Sequence, residues 1–391
     1  MDKEIYFDHA ATTAVKPEVV QAMLPYFTEN FGNASTVYKL GEKSKAALDA
    51  SRITVANAIG CDKNEIFFTS CGSESDNWAI KGAALANKAK GNHIITTAIE
   101  HHAVLHTCEF LEKNGFEVTY LPVDEYGKIR LDDLKNAIKD TTILITVMFA
   151  NNEIGTVEPI AEIGKIAHEH GILFHTDAVQ AVGALPINVK EMNIDMLSMS
   201  AHKFNGPKGI GALYIRKGVK IENLIHGGGQ ERKKRAGTEN IAQIVGMAKA
   251  LELATAHLDE KIKNLTQKRD YIINYIQKNI PYAKLNGHPT DRLPSNVNFS
   301  FKYIEGESLL LWLDIANIAA SSGSACTSGS LDPSHVLLAI GLSHEIAHGS
   351  LRVSIGEENT QEEIDYFLTE LPKIVKKLRL MSPLYEGVEG E

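Results

Sequence analysis

One lysine lies in a segment suited to covalent chemistry. Lys203 follows small polar residues and precedes a glycine-rich loop, in the run Ser200-Ala-His-Lys-Phe-Asn-Gly-Pro-Lys-Gly209. A lysine amine can form a Schiff base with an aldehyde cofactor such as pyridoxal phosphate (PLP), provided that its ammonium group can lose a proton. An isolated lysine is usually a solvated surface charge. The assignment of Lys203 therefore depends on whether other motifs could hold a phosphate and a pyridine ring.

A candidate phosphate site follows a predicted strand. In Ser70-Cys-Gly-Ser-Glu-Ser-Asp76, the strand gives way to an alanine-rich helix. The backbone N–H groups of Gly72 and Ser73, together with the helix dipole, would suit a phosphate. The same pattern is also typical of a simple helix N-cap. Phosphate binding is favoured only in combination with Lys203.

A carboxylate and an amide end another predicted strand, in His175-Thr-Asp-Ala-Val-Gln180. Asp177 could pair with a pyridine nitrogen and keep it protonated, so that the ring accepts electrons. Gln180 could reach the hydroxyl group of the same ring. The alternative for Asp177 is a helix-capping role.

Two further polar positions follow strands. In Glu100-His-His-Ala103 an imidazole could stack on a cofactor ring or move a proton, and we favour His101 over His102. Adjacent histidines need not converge on a metal ion, and no further ligand set is apparent, so no metal site is predicted. In Asn151-Asn-Glu-Ile-Gly155 a turn could present the amide of Asn152 to a substrate or to the cofactor.

One of the four cysteines lies among small polar residues. The run Ser321-Ser-Gly-Ser-Ala-Cys-Thr-Ser-Gly-Ser330 has almost nothing to bury, so we expect Cys326 to be a working thiol on a mobile segment. About ten extended residues can span on the order of 30 Å. Cys61 and Cys108 lie by amphipathic stretches and are expected to be ordinary small hydrophobes. Cys71, beside the phosphate motif, is left without a role.

Two more residues are candidates for substrate binding. Arg352 lies in an alternating strand, Ser350-Leu-Arg-Val-Ser354, where its guanidinium could bind a carboxylate at two points. An exposed strand arginine is the alternative. Asn33, in the early polar turn Phe31-Gly-Asn-Ala-Ser35, could also line a cleft.

The elements that position these residues indicate an α/β core. Apolar runs alternate with amphipathic helices between about residues 65 and 215, which is typical of a mostly parallel sheet flanked by helices. The predicted strands are Ile66 to Ser70, His93 to Thr97, Glu117 to Leu121, Ile143 to Phe149, Leu173 to His175, Met196 to Met199 and Ala212 to Ile215. Ligands of such sheets bind beyond the carboxyl ends of the strands, where these motifs lie.

The rest of the chain predicts a smaller α+β domain. Residues 239 to 278 are long and helical with a break near Lys261, and further helices are predicted near 306 to 314 and 360 to 380. We predict a large domain over 15–259 and a small domain made of 1–14 and 260–391. The cleft between them is the default site.

Composition indicates which kinds of binding partner and which cellular compartment to expect. The net charge of −9 argues against direct nucleic-acid binding, and the basic run Arg232-Lys-Lys-Arg235 is too short to reverse this. The start of the chain lacks the basic and apolar regions of an export signal, and no apolar stretch reaches the length of a membrane span. Four cysteines in 391 residues do not suggest a disulfide framework. We therefore expect a cytoplasmic protein without a membrane segment.

Taken together, these motifs make the chain resemble the cysteine desulfurases of the class V aminotransferase group, PLP enzymes of fold type I, over nearly its whole length. The motifs that carry the resemblance are Phe7-Asp-His-Ala-Ala-Thr-Thr13, Phe68-Thr-Ser-Cys-Gly-Ser-Glu-Ser-Asp-Asn77, Asn151-Asn-Glu-Ile-Gly155, His175-Thr-Asp-Ala-Val-Gln180, Ser200-Ala-His-Lys203, His226-Gly-Gly-Gly-Gln-Glu-Arg232 with Gly237-Thr238, and Ser321 to Ser330.

The resemblance implies a role for each candidate. Lys203 would hold the cofactor covalently, His101 would stack on its ring, and Cys326 would take the sulfur. Asp177 would bind the ring nitrogen and Gln180 the ring hydroxyl. The phosphate would be bound by Gly72, Ser73, Ser200, His202, and Thr238 from the neighbouring subunit of a homodimer. The substrate would be bound by Asn152, Arg352 and Asn33, and Asn152 would also contact the cofactor.

The implied reaction converts L-cysteine to L-alanine and leaves a persulfide on Cys326. The sulfur would pass to an iron-sulfur scaffold protein or another acceptor. A transaminase would share Lys203 and Asp177 but has no use for a mobile cysteine. A selenocysteine lyase cannot be distinguished, because its substrate differs by one atom. A non-enzymatic sulfur relay would keep Cys326 without needing Lys203.

Overall fold

A seven-stranded sheet forms the centre of the protein. The computed structural model describes residues 4–322 and 333–385. The strands of the sheet are β2 (Ile66–Thr69), β3 (His93–Thr97), β4 (Glu117–Leu121), β5 (Thr142–Thr146), β6 (Leu173–Asp177), β7 (Met196–Ser200) and β8 (Gly211–Ile215). Their order is β2-β8-β7-β6-β5-β3-β4. Strands β3 to β7 run parallel, and β8 is antiparallel to both of its neighbours.

Two smaller sheets lie outside this core. The short strands β1 (Ile5–Tyr6) and β11 (Ile318–Ala319) pair in parallel. The strands β9 (Ala283–Leu285), β10 (Asn296–Phe301) and β12 (Ser350–Ser354) form an antiparallel sheet with β10 in the middle. The strand predicted around Arg352 is therefore confirmed as β12.

Helices cover both faces of the central sheet and pack on the smaller ones. They are α1 (Pro17–Met23), α2 (Pro25–Thr28), α3 (Lys39–Ile59), α4 (Gly72–Asn87), α5 (His102–Glu112), α6 (Leu131–Ala137), α7 (Ile160–Glu169), the single turn α8 (Gln230–Lys233), α9 (Ile241–Thr255), α10 (Leu258–Asn279), α11 (Gly306–Ile315), α12 (His335–Ala339), α13 (His344–His348) and α14 (Gln361–Leu380). None of the helices in the described ranges has both the length and the apolar content needed to cross a membrane.

The predicted α/β core is confirmed because its strands are covered on both faces. Every residue of β3, β5 and β7 is buried, and central parallel strands are continuously apolar for this reason. One boundary differs from the prediction. The long helical stretch breaks between Thr255 and Leu258, not near Lys261, because His257 has an extended φ of −135°.

The two ends of the chain share one hydrophobic cluster. Ile5 and Phe7 pack with buried residues between Leu265 and Leu378, whereas the cluster against the central sheet contains residues from Val19 to Ala254. Phe7 makes an edge contact with Phe367 on α14. This packing supports our proposal that 1–14 belongs with 260–391 in a small domain.

Candidate active site

A cavity of about 590 Å³ lies at the carboxyl ends of the parallel strands, where the small and large sheets approach each other. Most of the residues predicted from the sequence line it. These are Gly72, Ser73, His101, Asn152, Asp177, Gln180, Ser200, His202, Lys203 and Arg352. Ligands of open α/β sheets bind at this edge, because the loops that follow the strands converge there.

Lys203 reaches the cavity from a tight turn. Strand β7 ends at Ser200, and residues Ala201–Lys203 form one turn of 3₁₀ helix. The Nζ atom of Lys203 donates hydrogen bonds to the carbonyl oxygens of Ala10 and Ala11, at 2.6 and 2.8 Å. The amine is thus held in the cavity by the N-terminal segment, which the sequence did not indicate.

His202 lies next to Lys203 and is neutral at neutral pH. Its Nδ1 atom is 3.1 Å from the hydroxyl oxygen of Thr12. Burial, together with the charges of Lys203 and Lys208, lowers the pKa of His202 to about 4. At neutral pH its ring can accept or donate one hydrogen bond on each nitrogen without adding charge.

Helix α4 presents its N-terminus to the cavity. Cys71 occupies the N-cap position, and its side chain makes no hydrogen bond to the first turn in the described chain. A Cβ atom on Gly72 would lie 2.7 Å from Cγ2 of Val179, so glycine permits a close approach of the backbone here. The free N–H groups and positive dipole end of a 16-residue helix suit a phosphate.

Asp177 is the last residue of β6 and is buried in the cavity wall. Its Oδ1 atom accepts a hydrogen bond of 2.9 Å from the backbone N–H of Val179. Burial raises the pKa of Asp177, while the charges of His101 and Lys203 lower it. Gln180, three residues on, donates from Nε2 to the carbonyl oxygen of Ala10 at 3.0 Å. A cationic ring nitrogen would offset the cost of burying this carboxylate.

His101 has a defined tautomer in its neutral form. It is the N-cap residue of α5, and its Nδ1 atom accepts a hydrogen bond of 3.1 Å from the backbone N–H of Ala103. The proton of the neutral ring therefore lies on Nε2. Nε2 is then the atom that can exchange a proton within the cavity.

Arg352 enters the cavity from β12 and contacts both the N-terminal segment and the loop after β5. It is 2% exposed, and its Nη2 atom contacts Oδ1 of Asp8 at 2.7 Å. Its Nη1 atom donates to the backbone carbonyl of Asn152 at 3.0 Å. The guanidinium is fixed in position, as binding of a substrate carboxylate requires.

Two of the predicted residues that the structure describes do not line the cavity. Asn33 is exposed, and its Oδ1 atom accepts a local bond of 2.9 Å from the backbone of Ser35. Thr238 is also exposed and away from the cavity of its own chain. Cys326 lies outside the described residues.

Three buried carboxyl groups in the cavity wall were not predicted from the sequence. Asp76, Glu100 and Glu153 line the cavity and are at most 5% exposed. Burial raises the pKa of Glu100 to about 8 and that of Glu153 to about 7. All three lie inside motifs noted in the sequence, but nothing in those motifs indicates which side chains turn inward. His335 also lines the cavity and has no sequence signal.

The groups present fit PLP. An amine, a buried carboxylate and an uncapped helix N-terminus surround one cavity, and these match the aldehyde, the ring nitrogen and the phosphate of that cofactor. The cavity volume falls within the range expected for a site that encloses a small cofactor.

Comparisons with known proteins agree with this site. The family model described as Aminotransferase class-V matches residues 5–367. Cysteine desulfurase IscS of Clostridium botulinum is 64% identical over 389 residues, which cover 99% of this chain and 98% of the relative. A NifS-like protein of known structure is 38% identical with a TM-score of 0.90, covering 96% of this chain and 100% of its own. The structure of SspA in complex with cysteine is 41% identical with a TM-score of 0.81, covering 90% and 98%. The chain belongs to the class-V aminotransferase family and has the PLP fold type I predicted from its sequence.

Proposed function

We propose that this protein is a PLP-dependent cysteine desulfurase, which converts L-cysteine to L-alanine and leaves a persulfide on Cys326. Its relatives named cysteine desulfurase are up to 64% identical over nearly the full chain. Fold and family alone would allow a transaminase equally well. The observation that favours a desulfurase is the position of the described residues that flank the segment with Cys326.

Both ends of that segment meet the cavity. On one side, the backbone of Ser321 exchanges hydrogen bonds of 2.6 and 3.2 Å with the backbone of Arg352. On the other side, Pro333 and Ser334 line the cavity, and the hydroxyl of Ser334 bonds to Glu153. The described residues on both sides of the segment that carries Cys326 therefore contact or line the cavity that contains Lys203.

The residues that line the cavity have different roles in the proposed reaction. When bound, PLP supplies an electron sink for the bonds at the substrate's α-carbon. Lys203 would hold the cofactor's aldehyde covalently, and its amine could move the proton of the substrate's α-carbon. Asp177 would pair with the ring nitrogen, and Gln180 would bind the ring hydroxyl. His101 would stack on the ring and could donate a proton from Nε2.

Different residues of the cavity would hold the substrate and the phosphate. Arg352, fixed by Asp8, binds the carboxylate of L-cysteine together with Asn152. The N-terminus of α4, Ser200 and His202 would hold the phosphate. The thiolate of Cys326 would then attack the substrate sulfur: an S–S bond forms, the C–S bond breaks, and its electron pair stays with the substrate's carbon, which takes up a proton to become the methyl group of alanine. The persulfide is passed to a protein acceptor, and the resemblance implies iron-sulfur cluster assembly as its use.

The products made from L-cysteine test this proposal. The PLP-loaded chain should release equal amounts of L-alanine and, in the presence of a thiol reductant, sulfide, without any added keto acid. A transaminase would instead need a keto-acid acceptor and would convert cysteine to its own keto acid. Amino-acid analysis with and without such an acceptor measures the difference. Keto-acid-dependent loss of cysteine without alanine would refute the desulfurase assignment.

We also propose a homodimer in which Thr238 serves the partner's site. Thr238 is exposed in its own chain and follows a strained segment, because Glu231, Arg232 and Lys233 have φ values of 44, 57 and 66°. A buried bidentate ion pair of 2.7 and 2.8 Å between Glu231 and Arg52 holds this segment. Strain held in this way indicates that the position of the segment matters.

Mixed dimers can test this arrangement. Chains carrying Lys203→Ala and chains carrying Thr238→Ala should each be weak or inactive alone. After unfolding and refolding together, they should regain alanine formation, because one site of the mixed dimer then has Lys203 from one chain and Thr238 from the other. No recovery, together with a sedimentation mass of a single chain, would refute the proposal.

A further inference from the structure

A second carboxyl group lies beside Asp177 in the wall of the cavity. Asp76, on the second turn of α4, is 1% exposed and lines the same cavity. Within residues 4–322 and 333–385, its Oδ1 atom has no hydrogen-bond partner. A buried carboxyl oxygen without a partner is costly. Its place in a cofactor cavity suggests that a bound group completes its contacts.

A buried polar chain ends at Asp76. Thr146, His175 and Ser198 lie on three adjacent strands and are 0% exposed. The Nδ1 atom of His175 is 2.8 Å from the hydroxyl of Thr146, and its Nε2 atom is 2.9 Å from the hydroxyl of Ser198. The Nε2 atom is also 3.7 Å from Oδ1 of Asp76. Apolar side chains could fill this space at less cost, so the polar chain indicates a function.

Electrostatics couples the two carboxyl groups. Burial and repulsion from Asp177 raise the pKa of Asp76, while a hydrogen bond from Ser198 lowers it; Glu100 and Cys71 also raise it. Burial lowers the pKa of His175 to about 3, so His175 is neutral and contributes no charge. Ser198 is also the register partner of Asp177, so both carboxyl groups lie near it, and the ionisation of both is unfavourable unless a further cation is present.

We propose that Asp76 and Asp177 share one proton, and that Asp76 is a positioning residue that keeps this proton at the end of the cavity where the cofactor's ring nitrogen would lie. When that nitrogen arrives, the proton leaves a carboxyl oxygen of the pair and bonds to the nitrogen, and the net charge of the three groups stays at −1. The Thr146, His175 and Ser198 chain then stabilises the charge left on Asp76. This inference rests on the proposed use of PLP.

The ring nitrogen itself provides the test. The full-length chain is loaded with PLP labelled with ¹⁵N at the ring nitrogen, and the nitrogen chemical shift is followed by NMR as the pH is raised. In Asp76→Asn, the ring nitrogen should lose its proton about one to three pH units lower than in the unchanged chain, because a carboxylate near a cation shifts a pKa by that amount. Ser198→Ala should produce a smaller shift in the same direction.

A matched control separates this effect from a general disturbance. Glu158 is also buried, at 4% exposed, and its Oε1 atom has no partner in the described part of the chain, but it does not line the cavity. Glu158→Gln should leave the pH midpoint at which the ring nitrogen loses its proton unchanged. The proposal is overturned if Asp76→Asn keeps the midpoint of the unchanged chain, or if Glu158→Gln shifts it equally.

Failure of the variant to fold and failure of the protein to bind PLP are each distinguished from failure of the proposed role of Asp76. If Asp76→Asn does not fold, as judged by its thermal melting, the Ser198→Ala shift decides the question, and an unchanged midpoint there overturns the proposal. If the unchanged chain binds no PLP, the proposed function fails together with this inference. Normal PLP binding and alanine formation with an unshifted Asp76→Asn midpoint refute the inference alone.

Discussion

Replacing Lys203 with alanine should abolish covalent attachment of PLP and reduce alanine formation from L-cysteine by at least about 10³-fold, since the residue is expected both to hold the cofactor and to transfer a proton. In the structure its Nζ atom donates hydrogen bonds to two backbone carbonyl groups. No neighbouring amine is placed to replace it among the residues that line the cavity. Covalent attachment is measured by mass spectrometry after borohydride reduction of the loaded protein.

Lys208 offers a matched control in the same segment. It lies five residues further along the chain and is exposed. Borohydride reduction should add the mass of one cofactor to the unchanged chain and to Lys208→Ala, but not to Lys203→Ala. Full mass addition in Lys203→Ala would show that another lysine carries the aldehyde, and the proposed role of Lys203 would be wrong.

Replacing Cys326 with alanine should leave PLP bound but lower alanine formation by at least about 10²-fold, because the nucleophile that accepts the sulfur is lost. The unchanged chain incubated with L-cysteine should carry one persulfide, which peptide mapping assigns to the peptide containing Cys326. The cofactor absorption spectrum of the variant confirms that the site remains intact.

Cys71 is the competing sulfur acceptor. It lines the cavity in the described structure, whereas Cys61 is half-buried with a pKa raised to about 12 by burial and Glu65. Cys61→Ala is therefore the control that should retain alanine formation. If the persulfide maps to Cys71, and Cys326→Ala forms alanine at the unchanged rate, the role given to Cys326 is refuted.

The fold was predictable where strands are buried on both faces. The fully buried strand at His93–Thr97 has the predicted bounds, and the fully buried strand Ile66–Thr69 differs by one residue. A central parallel strand must be apolar on both sides, which leaves a clear pattern in the sequence. The two-residue strand β11 was not predicted, because a pairing this short leaves no periodicity.

The site was predictable where its residues follow strands. Asp177 and Lys203 could be brought together in advance because carboxyl ends of parallel strands share one edge. The carbonyl groups of Ala10 and Ala11 could not be predicted, since backbone atoms carry no residue signature. Asp76 lay in a motif that also fits an ordinary N-cap, and only the packing of α4 on the sheet reveals that it turns towards the cavity.

The N-terminal segment connects the beginning of the chain to its end. The backbone N–H of Ala10 bonds to the hydroxyl of Ser354, 344 positions later, and Ile5 pairs with Ile318. The carbonyl of Ala10 also contacts Lys203. During synthesis on the ribosome, these contacts cannot form until Ile318 and Ser354 have been made. The pocket around Lys203 is therefore completed only after Ser354 has been made, and shorter nascent chains do not present a finished pocket.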